Sequence, residues 1–319
     1  MNTMQESLLR ENIKGSPELS LLDFTLPPEL EAGEPPEARG LARDEVRLMV
    51  SHIGTNQVVH TKFRQLGDFL TPGDVLVINT SGTLNASLPA MRADGTRLEL
   101  HLSTHLPADL WVVEMRAYQD SQEKTTRPFF DIDAGESFAL PGGAKATLYT
   151  HYAPGQAFRR LWVARLDVPG PLHPYLMEHG FPIRYSYVKK SWPLSYYQTV
   201  YVTEMGSAEM PSAGRAFTPK LLTSLTAHGI QVAPLLLHTG VASVEQKEPV
   251  YEEYYRVPEP TARLINSAHQ AGQRVIAVGT TVVRALETVT DAHGMIHPGE
   301  GWTDIFITPQ RGIHAINGL

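Results

Sequence analysis

The chain has 319 residues and no cysteine, enough for two domains with cores of their own and excluding disulfides, thiolate nucleophiles and cysteine-held metals. Hydrophobic residues make up 42% and charged residues 19%, the balance of a folded protein rather than a disordered one. The net charge of −7 excludes a global positive field, so an RNA partner would need a local basic patch. No apolar run approaches the roughly 20 residues of a membrane span. Met1 to Pro17 also lacks the charged start and apolar core of a secretory signal, so the expectation is a cytoplasmic protein with no membrane partner.

From Phe24 to Pro36 prolines and acids predict an extended, turn-rich segment. Arg43 to Val50 gives way to Leu70–Asn79, a Pro-Gly turn and a buried strand ending in polar residues. Between about 87 and 168 the period is two: Leu98, Leu100 and Leu102 alternate with Glu99, His101 and Ser103, and Trp111, Val113 and Met115 with Val112, Glu114 and Arg116. Pro141-Gly142-Gly143 reads as a turn, with strands at Ala146–Tyr152 and Phe158–Val168, so this stretch predicts an antiparallel sheet or barrel.

From 218 the period changes. Thr218-Pro219 caps a helix that Gly229 stops. Ile230–Leu237 is a strand interrupted by Pro234, Thr261–Ala271 a helix, Arg274–Val278 a strand, Thr281–Ala292 a helix and Thr303–Thr308 a strand. Such alternation predicts right-handed parallel crossovers. The expected fold class is α/β (mixed α and β): an α/β main domain with a parallel or mixed sheet from 17–86 and 171–319, with an antiparallel β-barrel inserted at 87–170.

Residues Val275 to Glu287 read as a buried strand, a tight turn at Gly279 and a helix capped by Thr280 or Thr281. A helix start at the carboxyl end of a parallel strand suits an anionic group. Three loops are expected to share that crevice: Tyr196–Tyr201, the small-residue stretch Gly206–Thr218, and His238-Thr239-Gly240. No Gly-x-Gly-x-x-Gly, phosphate-loop lysine or Gly-x-Ser-x-Gly motif is present. His238 has no partner at metal-ligand spacing and reads as a capping or structural histidine; no metal is expected. Basic patch candidates are Arg159, Arg160 and Arg165, and Arg184, Lys189 and Lys190 with Tyr185, Tyr187 and Trp192 among them, where aromatics could stack bases.

Tyr-Gln-Thr-Val-Tyr (197–201), Gly-Ser-Ala-Glu-Met-Pro-Ser-Ala-Gly-Arg-Ala-Phe-Thr (206–218), Leu-His-Thr-Gly (237–240) and Val-Gly-Thr-Thr-Val-Val-Arg-Ala-Leu-Glu (278–287) follow in that order. With Leu-Pro-Pro-Glu-Leu (26–30), Arg43-Asp44 and Pro-Gly-Asp-Val-Leu-Val-Ile-Asn (72–79), the chain resembles the S-adenosylmethionine:tRNA ribosyltransferase-isomerase family of queuosine biosynthesis from about Leu22 onward.

The resemblance implies an α/β protein with an inserted barrel, S-adenosylmethionine as cosubstrate and tRNA as partner. It implies transfer of the ribosyl part of S-adenosylmethionine to 7-aminomethyl-7-deazaguanine and its rearrangement to epoxyqueuosine. It also places substrate and cosubstrate binding at Tyr197, Gln198, Thr199, Gly206, Ser207, Pro211, Ser212, Ala213, Gly214, His238, Thr239, Gly240, Gly279, Thr280, Thr281 and Arg284. Glu253 and Asp304 are the catalytic carboxylates expected, and Arg184, Lys189 and Lys190 the tRNA contacts.

Departures from the family pattern are Ala216 where a histidine is usual, and Glu248-Pro-Val-Tyr-Glu-Glu253, which keeps a glutamate but neither of two histidines. Val241-Ala-Ser243 replaces a Gly-Thr-Phe stretch, and Gly318-Leu319 falls short of a further polar motif and helix. These departures leave two alternatives: a relative acting on another acceptor, or an RNA-binding module that keeps only the fold. The oligomeric state is left open.

Overall fold

A computed structural model describes residues 25–119, 126–152, 160–185, 187–188, 190–241 and 250–319. The chain opens with 3-10 turns and a hairpin of β1 (Arg47–His52) and β2 (Gln57–Lys62). Strand β3 (Val75–Asn79) follows, buried at every residue as a strand covered on both faces must be. A short β4 (Ser81–Thr83) then leads into the barrel.

The barrel strands are β5 (Ser87–Met91), β6 (Arg97–Leu106), β7 (Leu110–Tyr118), β8 (Thr126–Pro128), β9 (Ser137–Ala139), β10 (Lys145–His151) and β11 (Leu161–Asp167). They are ordered β11-β10-β9-β5-β6-β7-β8, and β11 also pairs with β7, which closes six of them into a ring. Closure removes open edges and lets the alternating Leu98, Leu100 and Leu102 meet Phe138, Leu148 and Trp162 in one core.

Beyond it lie α1 (Leu172–His179), β12 (Glu204–Ser207), α2 (Pro219–Ala227), β13 (Gln231–Leu237), β14 (Glu253–Val257), α3 (Glu259–Gln270), β15 (Val275–Ala277), α4 (Thr280–Thr288) and β16 (Gly299–Thr303). Strand β12 pairs in parallel with β4, and the main sheet runs β15-β3-β13-β14-β16. Helix α2 packs Leu221 and Leu225 on one face of that sheet through Leu76; α3 and α4 cover the other through Ile265, Val282 and Leu286.

The main sheet is mixed, within the expected fold class: β15, β3 and β13 pair in parallel, while β14 pairs antiparallel with both β13 and β16. Several finer sequence expectations need correction. Pro234 does not interrupt β13. Its carbonyl takes a hydrogen bond from Thr261 Oγ1, on the side where β14 pairs only with Leu236 and Leu237, so no ladder donor is missing. Helix α4 stops at Thr288 rather than Ala292, because the Asp291 carboxylate accepts the backbone N–H of His293 and Met295 and folds a turn instead. Neither Thr280 nor Thr281 caps α4; the cap position is Gly279, held at φ 100° with no side-chain cap. The last strand ends at Thr303, and the carbonyls of Thr303 and Ile305 bind Arg284 rather than extending a ladder to Thr308. Among the described residues no helix is long and apolar enough to cross a membrane.

Candidate functional site

The carboxyl ends of β3, β13 and β15 lie side by side, where open α/β sheets place ligands. Asn79, the last residue of β3, stitches them together. Its amide donates to Leu237 O at 2.8 Å and to Thr281 Oγ1 at 3.4 Å, and its oxygen accepts Leu237 N–H at 3.0 Å. The loops after these strands interlock: Ala208 N–H meets Thr239 O at 2.7 Å, Thr239 Oγ1 meets Glu209 O at 2.6 Å, and Gly279 packs on Ala213.

A cleft of about 430 Å³ opens beside these loops. The barrel supplies Thr104, His105 and Trp111, α1 supplies Leu172, His173 and Leu176, and the main body supplies Glu204, Met205, Gly206, His238, Tyr254 and Trp302. Its volume is within the range of small-molecule sites, about 300–1,000 Å³.

His238 sits at the centre. Ser81 Oγ lies 2.7 Å from its Nδ1 and 2.6 Å from Ser207 Oγ, which also accepts Thr239 N–H at 3.0 Å. On the other side, Nε2 faces a Glu204 carboxylate oxygen at 3.7 Å, and Arg256 Nη2 holds the second Glu204 oxygen at 2.7 Å. Gly206 is a spacing requirement here, because a Cβ would fall within 2.6 Å of the imidazole. Burial pushes the His238 pKa below its ordinary value and Glu204 only partly opposes that, so the ring is neutral at pH 7. Tyr254 stacks near the imidazole at 6.0 Å and Trp302 meets Tyr254 edge-on at 5.7 Å, while His105 stacks on Trp111 at 4.7 Å. The Thr104 hydroxyl is buried with no partner among the described residues.

Behind the loops lies a second, buried cluster. Glu253 is 3% exposed; its Oε1 accepts Gly240 N–H at 2.7 Å and its Oε2 pairs with Arg284. Arg284 also donates to Ile305 O and Thr303 O, so its partner is neither Glu287 nor Asp304. The Glu287 carboxylate instead accepts the N–H groups of His314 and Ala315 at 2.6 and 2.8 Å. Asp304 is exposed.

The structure thus brings Gly206 and His238 to the cleft wall and packs Ser207, Thr239, Gly240, Ala213, Gly279 and Thr281 behind it. Pro211, Ser212 and Gly214 form a tight turn, with Gly214 under the Tyr201 ring; Thr280 starts α4. Gln198 serves as a peg: its amide exchanges two hydrogen bonds with the Thr83 backbone, at 3.0 and 2.7 Å. The Tyr197 hydroxyl and Thr199 Oγ1 are buried without partners among the described residues.

The expected basic patches are altered. Arg160 is 2% exposed and pairs with buried Glu114 at 3.2 Å, so it is a core ion pair; Arg165 meets Asp167; Arg159 and Lys189 lie outside the described residues. Arg184 is half-buried and Lys190 exposed.

Sequence reasoning missed Glu204, Arg256, Trp111, Trp302 and Glu209. Glu209 accepts from Tyr185 OH at 2.9 Å; burial, with nearby Glu253 adding repulsion, pushes its pKa up to about 7. Its place in Gly-Ser-Ala-Glu-Met-Pro was visible, but its burial was not. Among the described residues no group of three or more His, Asp or Glu side chains is placed to hold a metal ion.

The family model described as queuosine biosynthesis protein matches residues 19–319. The S-adenosylmethionine:tRNA ribosyltransferase-isomerase of Moorella thermoacetica is 38% identical over 309 residues, covering 93% of this chain and 84% of that protein. The protein of the same name from Thermotoga maritima is 35% identical over 308 residues, covering 94% and 85%. A crystal structure of an S-adenosylmethionine tRNA ribosyltransferase from Thermotoga maritima aligns with a TM-score of 0.43 at 27% identity, over 92% of this chain and 81% of that one.

Proposed function

This chain belongs to the queuosine biosynthesis protein family, and on that premise we propose that it is a tRNA-modifying transferase and isomerase using S-adenosylmethionine. It transfers and isomerises the ribosyl moiety onto 7-aminomethyl-7-deazaguanine in tRNA, gives epoxyqueuosine, and releases adenine and methionine. The names of relatives 38% and 35% identical support this reading. With tRNA as the substrate, the cytoplasm is the compartment this reading assigns to the reaction.

The observation that carries it is the cleft, where a neutral imidazole, a carboxylate and several aromatic faces converge. Aromatic faces suit a purine and also attract a cation. The Glu204 carboxylate offers a sulfonium its counter-charge, and the unpartnered Thr104 hydroxyl suits a ribose hydroxyl. If 87–170 is a domain inserted between 17–86 and 171–319, the cosubstrate lies between the two, with the barrel wall excluding water.

S-Adenosylmethionine supplies a sulfonium that acidifies the adjoining ribose C–H. His238 is the proton acceptor in reach of the cleft, its ring fixed by Ser81 and packed against Gly206. Glu253, with both oxygens engaged, positions the His238–Gly240 turn. Asp304, exposed and next in the chain to Thr303, is the second candidate for proton transfer. The test is incubation with S-adenosylmethionine and tRNA carrying 7-aminomethyl-7-deazaguanine, following free adenine. Release that depends on that tRNA is expected; adenine with a different acceptor only, or none at all, overturns the reading.

A further inference from the structure

Among the described residues the β1–β2 hairpin pairs with no other strand. One face, carrying Leu48, Val50, Val59 and Thr61, is half-buried. The other is exposed, and there Arg47 stands directly opposite Lys62, Met49 opposite His60 and Ser51 opposite Val58. Like charges directly opposite on one face destabilise a strand pair. Among the described residues neither Arg47 nor Lys62 has an acidic partner. Two juxtaposed cations without a counter-charge, on a protein of net charge −7, call for an anion from outside.

We propose that this hairpin face binds the phosphate backbone of the tRNA substrate, an inference that rests on the function proposed above. Charge complementarity selects a polyanion, and the apolar side chains between the cations fit ribose and base surfaces. Met49 is 63% exposed and Ile53, at the tip, 97%.

The root of the hairpin is tied to the loops of the site. Phe63, next after Lys62, packs edge-on against Phe217 with centroids 4.9 Å apart, and Phe217 closes the 206–218 loop. Arg43, just before the hairpin, donates to Gln198 O at 3.0 Å. A backbone held on this face is therefore held by an arm that continues into the site loops.

The test measures tRNA affinity of the full chain between about 50 and about 200 mM salt. The R47A/K62A double variant is expected to weaken binding on the order of tenfold and to lower the log–log salt slope by about 1–2. Its KM for tRNA should rise with kcat retained, and its Tm should hold or rise as the repulsion is relieved. Ser51→Lys, which adds a cation to the same face, is expected to tighten binding and steepen the slope. A wild-type protein that binds tRNA while both variants match it in affinity and slope overturns the hairpin assignment alone. A wild-type protein that binds no tRNA overturns this inference and the proposed function together. Loss of binding to phosphatidylserine vesicles in R47A/K62A, with tRNA binding intact, assigns the face to a membrane and also overturns it.

Discussion

The two faces of strand β14 carry an ionic pair each, and the pairs are built for different work. Glu253, Tyr255 and Val257 point inward and Tyr254 and Arg256 outward, as the two-residue period of a strand requires. On the inward face Glu253 meets Arg284, and every oxygen and most donors of the pair are engaged by protein. On the outward face Arg256 meets Glu204 in the cleft, where both side chains remain about two-fifths exposed, at 40% and 44%. A largely buried pair with most of its polar atoms engaged holds geometry, since breaking it leaves a buried charge. A pair open to solvent contributes little to stability, but it can still act on a neighbour that titrates. The neighbour is His238.

That contrast breaks first if His238 is dispensable. His238→Asn leaves a polar atom near the Nδ1 position for Ser81 and removes the titrating nitrogen. Adenine release should fall by about 10²–10⁴-fold, the usual contribution of a positioned base, while Tm stays close to wild type. Full turnover in that variant would move proton transfer out of the cleft and toward the carboxylates behind the loops.

The inward pair is tested by stability. Glu253→Gln keeps an acceptor for Gly240 N–H but leaves the Arg284 charge without its counter-charge. The cost should approach the about 3–5 kcal/mol of a broken buried pair, a fall in Tm on the order of 5–10 °C. Loss of turnover is then expected to follow the distortion of the His238–Gly240 turn. If Tm is unchanged and adenine release vanishes, Glu253 acts on the substrate and the two faces are not divided as described.

How far the sequence exposes this arrangement depends on the range of the contact. Local signals read well: Thr218 caps α2 by accepting Leu221 N–H at 3.1 Å, β3 is the buried strand its apolar run predicts, and period-two stretches from Ser87 to Asp167 form the barrel strands. The order of the site loops was readable as well. What joins them was not. Glu204 and Arg256 are 52 positions apart, and Arg284 reaches Glu253 across 31; in both cases a charge had several possible partners and only the register of β14 decides. The same register puts Tyr254 opposite Trp302 and so builds the aromatic wall. Arg160 failed as a surface cation for a related reason, since nothing local marks Glu114 as a buried acid that must be neutralised.

The smallest effect expected lies in the pH profile. Burial lowers the His238 pKa, and Glu204 is the group that opposes this, while Arg256 and His105 reinforce it. The Glu204 carboxyl is itself held low by its hydrogen bond to Arg256, so it is ionised wherever His238 titrates. Glu204→Gln removes the opposing charge, and the His238 pKa falls further. The acid limb of kcat/KM should therefore move to lower pH, with stability changed by under about 1 kcal/mol because the pair is solvent-screened. Stability itself has a definite sign in the wild type. As pH falls through about 6.5 the unfolded chain takes up the histidine proton before the folded one does, so folding weakens in that window. The variant should carry that decline to lower pH than the wild type. An acid limb that stays in place or moves upward would mean that Glu204 does not act on His238, and the outward pair would then be surface chemistry with no part in the reaction.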